Sequence, residues 1–458
     1  MSNVFSTYKQ HYKDNLVLAI PIVISQLGHT MVQTADSIIV GHFAGTISLA
    51  ASSLVHSIFM VIMVIGIGIS YGLTPLIAQE NGRGNKEECG KLLSNSLYLN
   101  ILTGILLFSV VYLGSVFLIN HLKQDAAVIV EAKPYLNVLG FSIIPLMVFL
   151  TFKQFAEGLG FTKQAMMVSI WGNVLNIILG ITFVKGLFGV KPMGLIGVGY
   201  STLIDRSLMA IVMAVYVFKS KYFRDYLRQF TFRLIDKVRM SKIFKIGLPT
   251  ALQYTFEVSA FSAAAILTGT IGAVEQASHQ VAINLAAMTY MMASGIASAA
   301  GIKSGNNFGK RDFFNLRKSA IASYHIAIVF MCVAALSFVV FNGFLPKLFT
   351  DDISVINIAS GLLLIAALFQ LFDGTQVIGL GVLRGMGDVN IPTLITFTSY
   401  WIFGLPVGYL LGIVWGIGVN GIWLGLTLGL LVASLLLFIR FNLLTKKYNK
   451  TLVSLADA

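Results

Sequence analysis

Three carboxylates lie deep within apolar stretches of the chain: Asp36, Glu257 and Asp373. Each stands roughly halfway along a hydrophobic segment that is long enough to cross a bilayer. An ionisable side chain at that depth costs about 2.5–3.5 kcal/mol on insertion scales, and it persists mainly where it faces a cavity or carries function. The three acids therefore indicate a membrane protein that exchanges protons or metal cations for another solute.

The composition fits the same class. The chain of 458 residues is 56% hydrophobic and 11% charged, with a mean hydropathy of +0.82. Soluble proteins carry about 25% charged residues. Apolar runs of about 20 residues or more predict an all-α membrane protein with twelve transmembrane helices, at 15–42, 49–78, 93–119, 135–156, 165–187, 193–218, 246–272, 277–302, 319–345, 355–382, 391–414 and 417–443. The first run is too long for a signal peptide, so we expect it to be retained.

The net charge of +13 is distributed unevenly over the predicted loops. If both ends lie on one side, that side receives most of the basic residues, including the stretch Lys219–Lys245. The opposite side receives few, among them Lys185 and Lys347. Positive residues accumulate on the cytoplasmic side of membrane proteins. We therefore expect both termini in the cytoplasm of a cell inner (plasma) membrane, and we attribute the charge to topology and not to nucleic-acid binding.

An internal repeat divides the chain into two halves. Anchor residues recur in order at an offset of about 225–228 residues, and they include Pro21 with Pro249, Gly41 with Gly269, Gly84 with Gly309 and Gly158 with Gly385. The repeat predicts two six-helix lobes, 1–218 and 246–443, joined by a basic cytoplasmic linker, 219–245, and followed by a cytoplasmic tail, 444–458. Because six spans is an even number, the lobes should be related by a pseudo-twofold along the membrane normal, with the substrate path between them.

The first span carries a polar stripe. Gln26, His29, Gln33 and Asp36 are spaced three, four and three residues apart, which places them on one face of a helix. Unsatisfied polar groups are expensive in hydrocarbon, so the stripe must face a cavity or other helices. One interpretation is a hydrogen-bonded seam between helices. The functional interpretation is a cavity wall that ends in a titratable carboxylate.

The second lobe carries two further polar faces. The seventh span has Gln253 and Glu257 one turn apart, and the tenth has Gln370, Asp373 and Gln376 close to one face. Two acids that share a pocket repel each other when both are ionised, so the pair is ready to hold a proton or to bind a cation together. The alternative is two separate buried acids, each hydrogen-bonded to its neighbours.

Other polar residues within the spans are less specific. Asp205 and Arg206 are adjacent in the sixth span, which favours a local compensating pair. Asn173 and Asn176 in the fifth span are candidate first-lobe ion ligands or, equally, helix-packing residues. The sequence shows neither a His/Cys/Glu cluster with metalloenzyme spacing nor a P-loop. We therefore expect no enzyme activity, no cofactor and no ATP-driven pumping.

Several short motifs stand out along the chain. The first-half motifs are Gln33-Thr-Ala-Asp36-Ser-Ile-Ile-Val-Gly41, Gly158-Leu-Gly160 and Gly172-Asn173-Val-Leu-Asn176. The second-half motifs are Gly247-Leu-Pro249, Gln253-Tyr-Thr-Phe-Glu257, Ser278-His279-Gln280, Phe372-Asp373-Gly374-Thr-Gln376, Leu383-Arg384-Gly385 and Tyr400-Trp401. Together they span essentially the whole chain, and they resemble the multidrug and toxic compound extrusion (MATE) family, in particular its NorM-type branch.

The resemblance implies an antiporter that exports amphipathic organic cations in exchange for sodium ions or protons. It assigns coupling to Glu257 and Asp373, with Asp36 contributing in the first lobe, and it makes a Na⁺ site at Glu257 and Asp373 conceivable. The full predicted substrate-binding set is Glu257, Asp373, Tyr290, Asp351, Asp352, Gln253 and Gln33. One residue departs from the pattern: Phe369 stands where some NorM-type members have a tyrosine, which leaves protons at least as well supported as sodium.

Two other functions compete with this one. Flippases of the same superfamily move lipid-linked precursors, but a diphosphate would call for basic residues in the cavity, and Arg206 is the one base that the sequence places deep in a span. A receptor or scaffold without transport is disfavoured by the repeat and the mid-membrane acids. The expected partners are small organic cations, H⁺ or Na⁺ and the lipid bilayer, and we expect the protein to function as a monomer.

Overall fold

A computed structural model describes residues 2–121, 125–232 and 235–456. Within these residues the regular structure is entirely helical. The α-helices are α1 (Ser2–Phe43), α2 (Thr46–Ser70), α3 (Leu73–Gly82), α4 (Lys86–Leu113), α5 (Ala126–Phe141), α6 (Ile143–Gly158), α7 (Thr162–Lys185), α8 (Leu195–Lys219), α9 (Lys237–Ile271), α10 (Ala273–Gly309), α11 (Phe313–Val340), α12 (Ile353–Gly385), α13 (Asn390–Phe397), α14 (Leu405–Tyr409) and α15 (Val419–Ala456). Short 3₁₀ or π-helical segments lie at 114–121, 226–229, 345–348, 398–404 and 410–414.

Eleven helical stretches of the described chain are long and apolar enough to cross a membrane. The remaining predicted span corresponds to α9, which has 35 residues. It is long enough to cross, but polar side chains, Gln253 and Glu257 among them, lower its mean hydropathy. The predicted all-α membrane class is confirmed, with twelve long helical stretches in the predicted order.

In the described part of the chain, three spans are interrupted along their length, and the third ends in a π-helical turn at 114–118. The second bends at Gly72, where an added Cβ would stand 2.4 Å from the carbonyl oxygen of Ile243, so only glycine allows this approach. The fourth changes direction at Ser142, whose hydroxyl donates to the carbonyl oxygen of Leu139 at 2.7 Å. The eleventh contains two π-helical turns, Thr398–Gly404 and Leu410–Val414. Helical periodicity alone predicts none of these breaks.

Glycines set the contact between the eleventh and twelfth spans. A Cβ added to Gly425 would stand 2.2 Å from the backbone nitrogen of Gly408, and one added to Gly421 would stand 2.6 Å from that of Gly412. Lipid supplies little hydrophobic drive for helices to associate, so close backbone packing through small residues stabilises such pairs. This packing fixes the π-helical eleventh span against α15.

The chain forms two compact units whose limits fall inside two helices. The N-terminal unit comprises residues 24–251, and the C-terminal unit comprises the residues up to Val23 and from Leu252 onward. Each limit lies shortly after a proline within a helix, Pro21 in α1 and Pro249 in α9. The limits of the units are set by which residues pack together, whereas the predicted lobes, 1–218 and 246–443, are set by the internal repeat. The two divisions therefore differ. The lobe boundaries stay a prediction.

Polar contacts explain why the start of α1 belongs to the C-terminal unit. The amide nitrogen of Asn15 donates to the carbonyl oxygen of Ser319 at 2.9 Å and to the hydroxyl of Ser323 at 2.8 Å. Lys303 forms an ion pair with Asp14 at 2.8 Å. These bonds fix the N-terminal part of α1 to α10 and α11.

The predicted linker, 219–245, packs against α4 within the N-terminal unit; its residues 233–234 lie outside the described chain. Arg239 donates two hydrogen bonds of 2.8 Å to the Glu88 carboxylate, and Lys86 pairs with Asp225 at 3.1 Å. The hydrogen bond from Lys86 lowers the pKa of Asp225, and the backbone N–H of Val238 lowers that of Asp236. The last third of the linker is already the first part of α9.

The predicted tail, 444–458, continues helix α15 as far as Ala456, and its last two residues lie outside the described chain. Arg317 donates to the side chains of Asn442 and Thr445 at 2.7 and 2.8 Å. The ring of Tyr448 stacks on that of Phe313, with centroids 5.1 Å apart. The first part of the tail is therefore packed as a helix.

Candidate functional site

The C-terminal unit brings together three of the predicted site residues. Glu257 on α9 and Asp373 on α12 are 5% and 3% exposed. Their carboxyl groups lie within electrostatic range of each other. The hydroxyl of Tyr290 on α10 donates to Oε2 of Glu257 at 3.3 Å, and that of Tyr400 lies 3.4 Å from Oε1. Helices α9, α10 and α12 and the π-helical turn of the eleventh span therefore converge on the pair of acids.

Among the described residues the two acids have no basic partner. The ion pairs found among the described residues include neither Glu257 nor Asp373, and Oδ1 of Asp373 is buried with no hydrogen-bond partner among them. An ionised carboxylate without a counter-charge is costly in such surroundings. The site can remove that cost by taking up a proton or by binding a cation.

The glutamines near the acids are engaged differently. Gln253 donates from Nε2 to the carbonyl oxygen of Val389 at 3.1 Å and to the hydroxyl of Thr393 at 3.0 Å, so its amide nitrogen joins α9 to the eleventh span. Gln376 accepts from the Tyr400 hydroxyl at 2.8 Å. Both polar atoms of Gln370 are buried with no partner in the described chain. Substrate contact by Gln253 stays a prediction.

Aromatic side chains form an apolar wall beside the acids. Phe369 is fully buried, and its ring centroid lies 6.0 Å from that of Phe261 and 5.4 Å from that of Trp423. The indole of Trp423 donates to His279 Nδ1 at 3.1 Å. Phe369 therefore contributes packing, and it offers no oxygen to an ion at this turn.

The two loop acids lie at the surface and not among the buried groups around Glu257 and Asp373. Asp351 and Asp352 are both exposed. Oδ1 of Asp352 accepts from the backbone N–H of Ser354 at 2.8 Å and so caps the N-terminus of α12. Their predicted role in binding substrate stays a prediction.

The N-terminal unit places Asp36 close to charged groups on α8. Asp36 is 5% exposed and lies within electrostatic range of Arg206 and Asp205. The guanidinium of Arg206 donates to the Ser142 hydroxyl at 2.8 Å and lies over the ring of Phe59 at 5.5 Å. The predicted Asp205–Arg206 ion pair is absent from the contacts of the described residues. Adjacent helical positions point about 100° apart, and Arg206 instead extends toward α5–α6 and α2.

Asn173 and Asn176 on α7 are both buried in the same unit. Asn176 donates to the Thr202 hydroxyl on α8 at 3.3 Å. The Nδ2 atom of Asn173 has no partner among the described residues, and it would stand 2.6 Å from a Cβ added to Gly28 of α1. Both amides thus face helix contacts, and ion binding by either of them stays a prediction.

The polar stripe of α1 is not uniformly enclosed. Asp36 is buried, Gln26 and His29 are half-buried, and Gln33 is exposed. Nε2 of Gln26 donates to the Tyr71 hydroxyl at 3.4 Å. Only the end of the stripe at Asp36 therefore has the burial expected of a titratable site, and substrate contact by Gln33 stays a prediction.

Sequence reasoning missed a buried ion pair. The charge pattern assigns Lys153 to the cytoplasmic side, but in the structure this residue of α6 is 5% exposed. Its ammonium group lies 3.9 Å from the Glu157 carboxylate and donates to the Ser25 hydroxyl at 3.3 Å. The i, i+4 spacing of the two residues signals such a pair. Tyr400 was noted only as part of a motif, because nothing in its sequence neighbourhood indicates that it reaches Glu257.

A protein-family model described as MatE matches this chain twice, at residues 21–182 and 249–410. The second match is displaced from the first by a constant 228 residues, the same offset as that between Pro21 and Pro249. Multidrug resistance protein MdtK of Yersinia enterocolitica is 33% identical and aligns over 94% of this chain and 95% of its own length. Multidrug resistance protein NorM of Photobacterium profundum is 31% identical, with coverages of 95% and 96%.

Solved structures share the fold. The eukaryotic MATE transporter AtDTX14 superposes with a TM-score of 0.87 at 20% identity and covers 97% of this chain and 99% of its own. A multidrug resistance MATE family transporter of the MOP superfamily, in an outward-facing conformation, gives 0.84 at 21% identity, with coverages of 96% and 97%. At these identities the similarity concerns the fold.

Proposed function

Because the chain belongs to the MatE family of transporters and is a multi-pass membrane protein, we propose that it is a cation-coupled antiporter that exports amphipathic organic cations in exchange for protons or sodium ions. The relatives named as multidrug resistance proteins support the drug-export half of this proposal. The acids of the C-terminal unit support the coupling half.

One observation carries the proposal. In the described chain, Glu257 and Asp373 are both buried and have no base beside them. The hydroxyls of two tyrosines are the only donors there that reach Glu257. The pair has to be neutralised by something that enters from solution. A proton, a sodium ion and an organic cation can each do this, and they compete because they satisfy the same charges. Competition for one site is the chemical requirement for exchange.

The mechanism follows from this competition. We infer that the C-terminal unit binds the organic cation when the acids are ionised and releases it when a proton or sodium ion takes its place. Two arrangements of the units would expose the acids alternately to the two sides of the membrane, and the ion gradient would drive the cycle because loading changes their relative free energies. The excess of basic residues in the predicted loops that share a side with both termini supports an inner-membrane location with both termini inside.

A second candidate gains some support from the N-terminal unit. Lys153 is buried and Arg206 is half-buried, and bases deep in the unit are what a flippase for a diphosphate-linked lipid would need. Both bases, however, have acids beside them: Glu157 for the first, Asp36 and Asp205 for the second. Their positive charge is already compensated, so a cationic substrate at the uncompensated acids of the C-terminal unit fits better.

The test is export of ethidium from proteoliposomes under a sodium gradient or a proton gradient, each imposed separately. We expect Glu257→Gln combined with Asp373→Asn to reduce gradient-driven export at least about 100-fold, since the substitutions remove both charges that bind the cation. Asp312→Asn is the matched control, because it removes one acid of the same unit but keeps the cap that Asp312 provides to Asn315. Unchanged export in the double variant would refute the proposal, and absence of ethidium export by the native chain would favour the flippase.

A further inference from the structure

The π-helical turn Thr398–Gly404 packs against the part of α9 that carries Glu257. The indole of Trp401 donates to the carbonyl oxygen of Phe256 at 3.2 Å, and the ring of Tyr400 meets that of Phe261 edge-on at 5.8 Å. Tyr400 is fully buried. π-Helical turns are rare and occur frequently at functional sites, where they redirect a side chain. Here the turn directs the Tyr400 hydroxyl to the Glu257 carboxyl group.

The Tyr400 hydroxyl faces two oxygen atoms but has one proton to give. Oε1 of Gln376 lies 2.8 Å away and Oε1 of Glu257 lies 3.4 Å away. A phenol donates a single hydrogen bond and accepts others. The shorter distance shows that Gln376 receives the proton in this arrangement. Nε2 of Gln376 is buried with no partner among the described residues, so its donors are unused.

We propose that Tyr400 and Gln376 form a reversible hydrogen-bond relay that adapts to the charge of Glu257. When Glu257 is protonated, its O–H donates to the Tyr400 oxygen, and Tyr400 donates to Oε1 of Gln376. When Glu257 is ionised, Tyr400 turns its proton to the carboxylate, and the Gln376 amide rotates so that Nε2 donates to the Tyr400 oxygen. In the change from the protonated to the ionised form, only Glu257 loses a proton, and Tyr400 and Gln376 keep all of their protons.

Glutamine suits the end of such a relay because its amide carries a donor and an acceptor that exchange places on rotation. The relay also reaches the second acid's helix, since Gln376 lies on α12 three residues after Asp373. Tyr400 is thus a positioning residue: it touches Glu257 and keeps a donor available to the ionised form, to which hydrogen bonds are roughly twice as strong as to neutral groups. The inference rests on the proposed binding of cations at Glu257.

The experiment measures ethidium binding to the purified full chain in detergent as a function of pH. Protons compete with the cation for Glu257, so binding by the native chain weakens as pH falls. In Tyr400→Phe the ionised carboxylate has lost a donor, and we expect the pH of half-maximal binding to move up by about one unit, equivalent to about tenfold weaker binding on the falling limb. The phenyl ring retains the contact with Phe261.

The matched control is Tyr324→Phe, which removes a buried hydroxyl of the same unit that has no hydrogen-bond partner among the described residues. Its binding profile should coincide with that of the native chain. Gln376→Leu removes the acceptor that competes with Glu257 for the Tyr400 proton, so it should shift the profile to lower pH, opposite to Tyr400→Phe. It also carries the test if Tyr400→Phe fails to elute as a folded protein.

Glu257→Gln separates this inference from the proposed function. If Glu257→Gln loses the pH dependence while Tyr400→Phe and Gln376→Leu match Tyr324→Phe, the relay is overturned and cation binding at Glu257 stands. If Glu257→Gln binds ethidium with the native pH dependence, the proposed function fails, and the relay fails with it.

Discussion

The two units bury carboxylates of the same kind in opposite electrostatic settings. In the N-terminal unit, Glu157 lies 3.9 Å from Lys153, and both Asp36 and Asp205 lie within range of Arg206. In the C-terminal unit, Glu257 meets the hydroxyls of two tyrosines, and Oδ1 of Asp373 has no hydrogen-bond partner among the described residues. In the N-terminal unit the buried acids have a base of the same unit within electrostatic range, whereas Glu257 and Asp373 have none in the described part of the chain.

The contrast shows how a repeat can diverge in chemistry while it keeps its fold. Two family matches of equal length establish that the halves correspond along the backbone. Their buried acids do not correspond: Asp36 lies on the first helix of its half, toward its end, and Asp373 on the fourth helix of the other half.

The largest change in the free energy of unfolding should come from removing the base of the buried Lys153–Glu157 pair in the N-terminal unit. Lys153→Met leaves Glu157 buried without its partner, and we expect the free energy of unfolding to fall by about 3–5 kcal/mol. Lys153→Met combined with Glu157→Gln should recover most of this loss. Unfolding can be followed in a denaturing-detergent titration by the reaction of buried Cys89 with a thiol reagent, in a Cys332→Ala background that removes the exposed thiol.

Lys303→Met is the control for that measurement, because the Lys303–Asp14 pair is partly exposed and should contribute no more than about 1 kcal/mol. Equal losses for the two lysine variants would show that burial does not distinguish the pairs.

Neutralising one acid in each unit should change stability in opposite directions. Asp205→Asn takes a nearby counter-charge from half-buried Arg206, and we expect a loss of about 2 kcal/mol. Asp373→Asn removes a charge that Glu257 repels, and we expect a gain of about 1 kcal/mol together with impaired transport. The same Cys89 assay measures both. A loss in Asp373→Asn as large as that in Asp205→Asn would contradict the contrast between the units.

The linker contains ion pairs that are accessible to water and can be compared with the buried Lys153–Glu157 pair. Arg239→Met removes a two-bonded contact with Glu88 that is partly exposed, and we expect a loss of about 1 kcal/mol. Arg228→Met, at a largely exposed pair with Asp225, should give no measurable change. A loss comparable to that of Lys153→Met would mean that the linker stabilises the unit as strongly as its interior does.

The smallest effect should be the pH dependence of the exposed linker acids. The folded pKa of Asp236 is lowered, chiefly by the backbone N–H of Val238, so its contribution to stability is fully present above the unfolded pKa of about 3.9 and is lost as pH falls through the lower folded value. The melting difference between the native chain and Asp236→Ala, followed by tryptophan fluorescence, should stay constant from pH 8 to about pH 5 and shrink below about pH 4. A difference that already shrinks near pH 6 would contradict this assignment.

Much of the site could be predicted from residue type and spacing. Polar residues stand out in apolar helices because lipid penalises them, so Asp36, Glu257 and Asp373 are visible without a structure. The resemblance added Tyr290, which does contact Glu257. Gln253 was also found, although its amide nitrogen joins helices. The sequence does not predict that Tyr400 contacts Glu257 or that Lys153 pairs with Glu157 in the interior. These contacts depend on a π-helical turn and on burial, and residue spacing encodes neither.

The sequence by itself determined the membrane class, the order of the twelve helical spans and the internal repeat, because apolar length and the positions of prolines and glycines are local properties of the chain. The tertiary structure decided what surrounds each buried charge. Compensation of a carboxylate depends on which side chains from distant segments reach within a few ångströms of it, and electrostatic energy in a low-dielectric interior changes steeply over that distance. Only the tertiary structure therefore shows that Arg206 and Lys153 lie near acids of one unit, while Glu257 and Asp373 have no base beside them among the described residues.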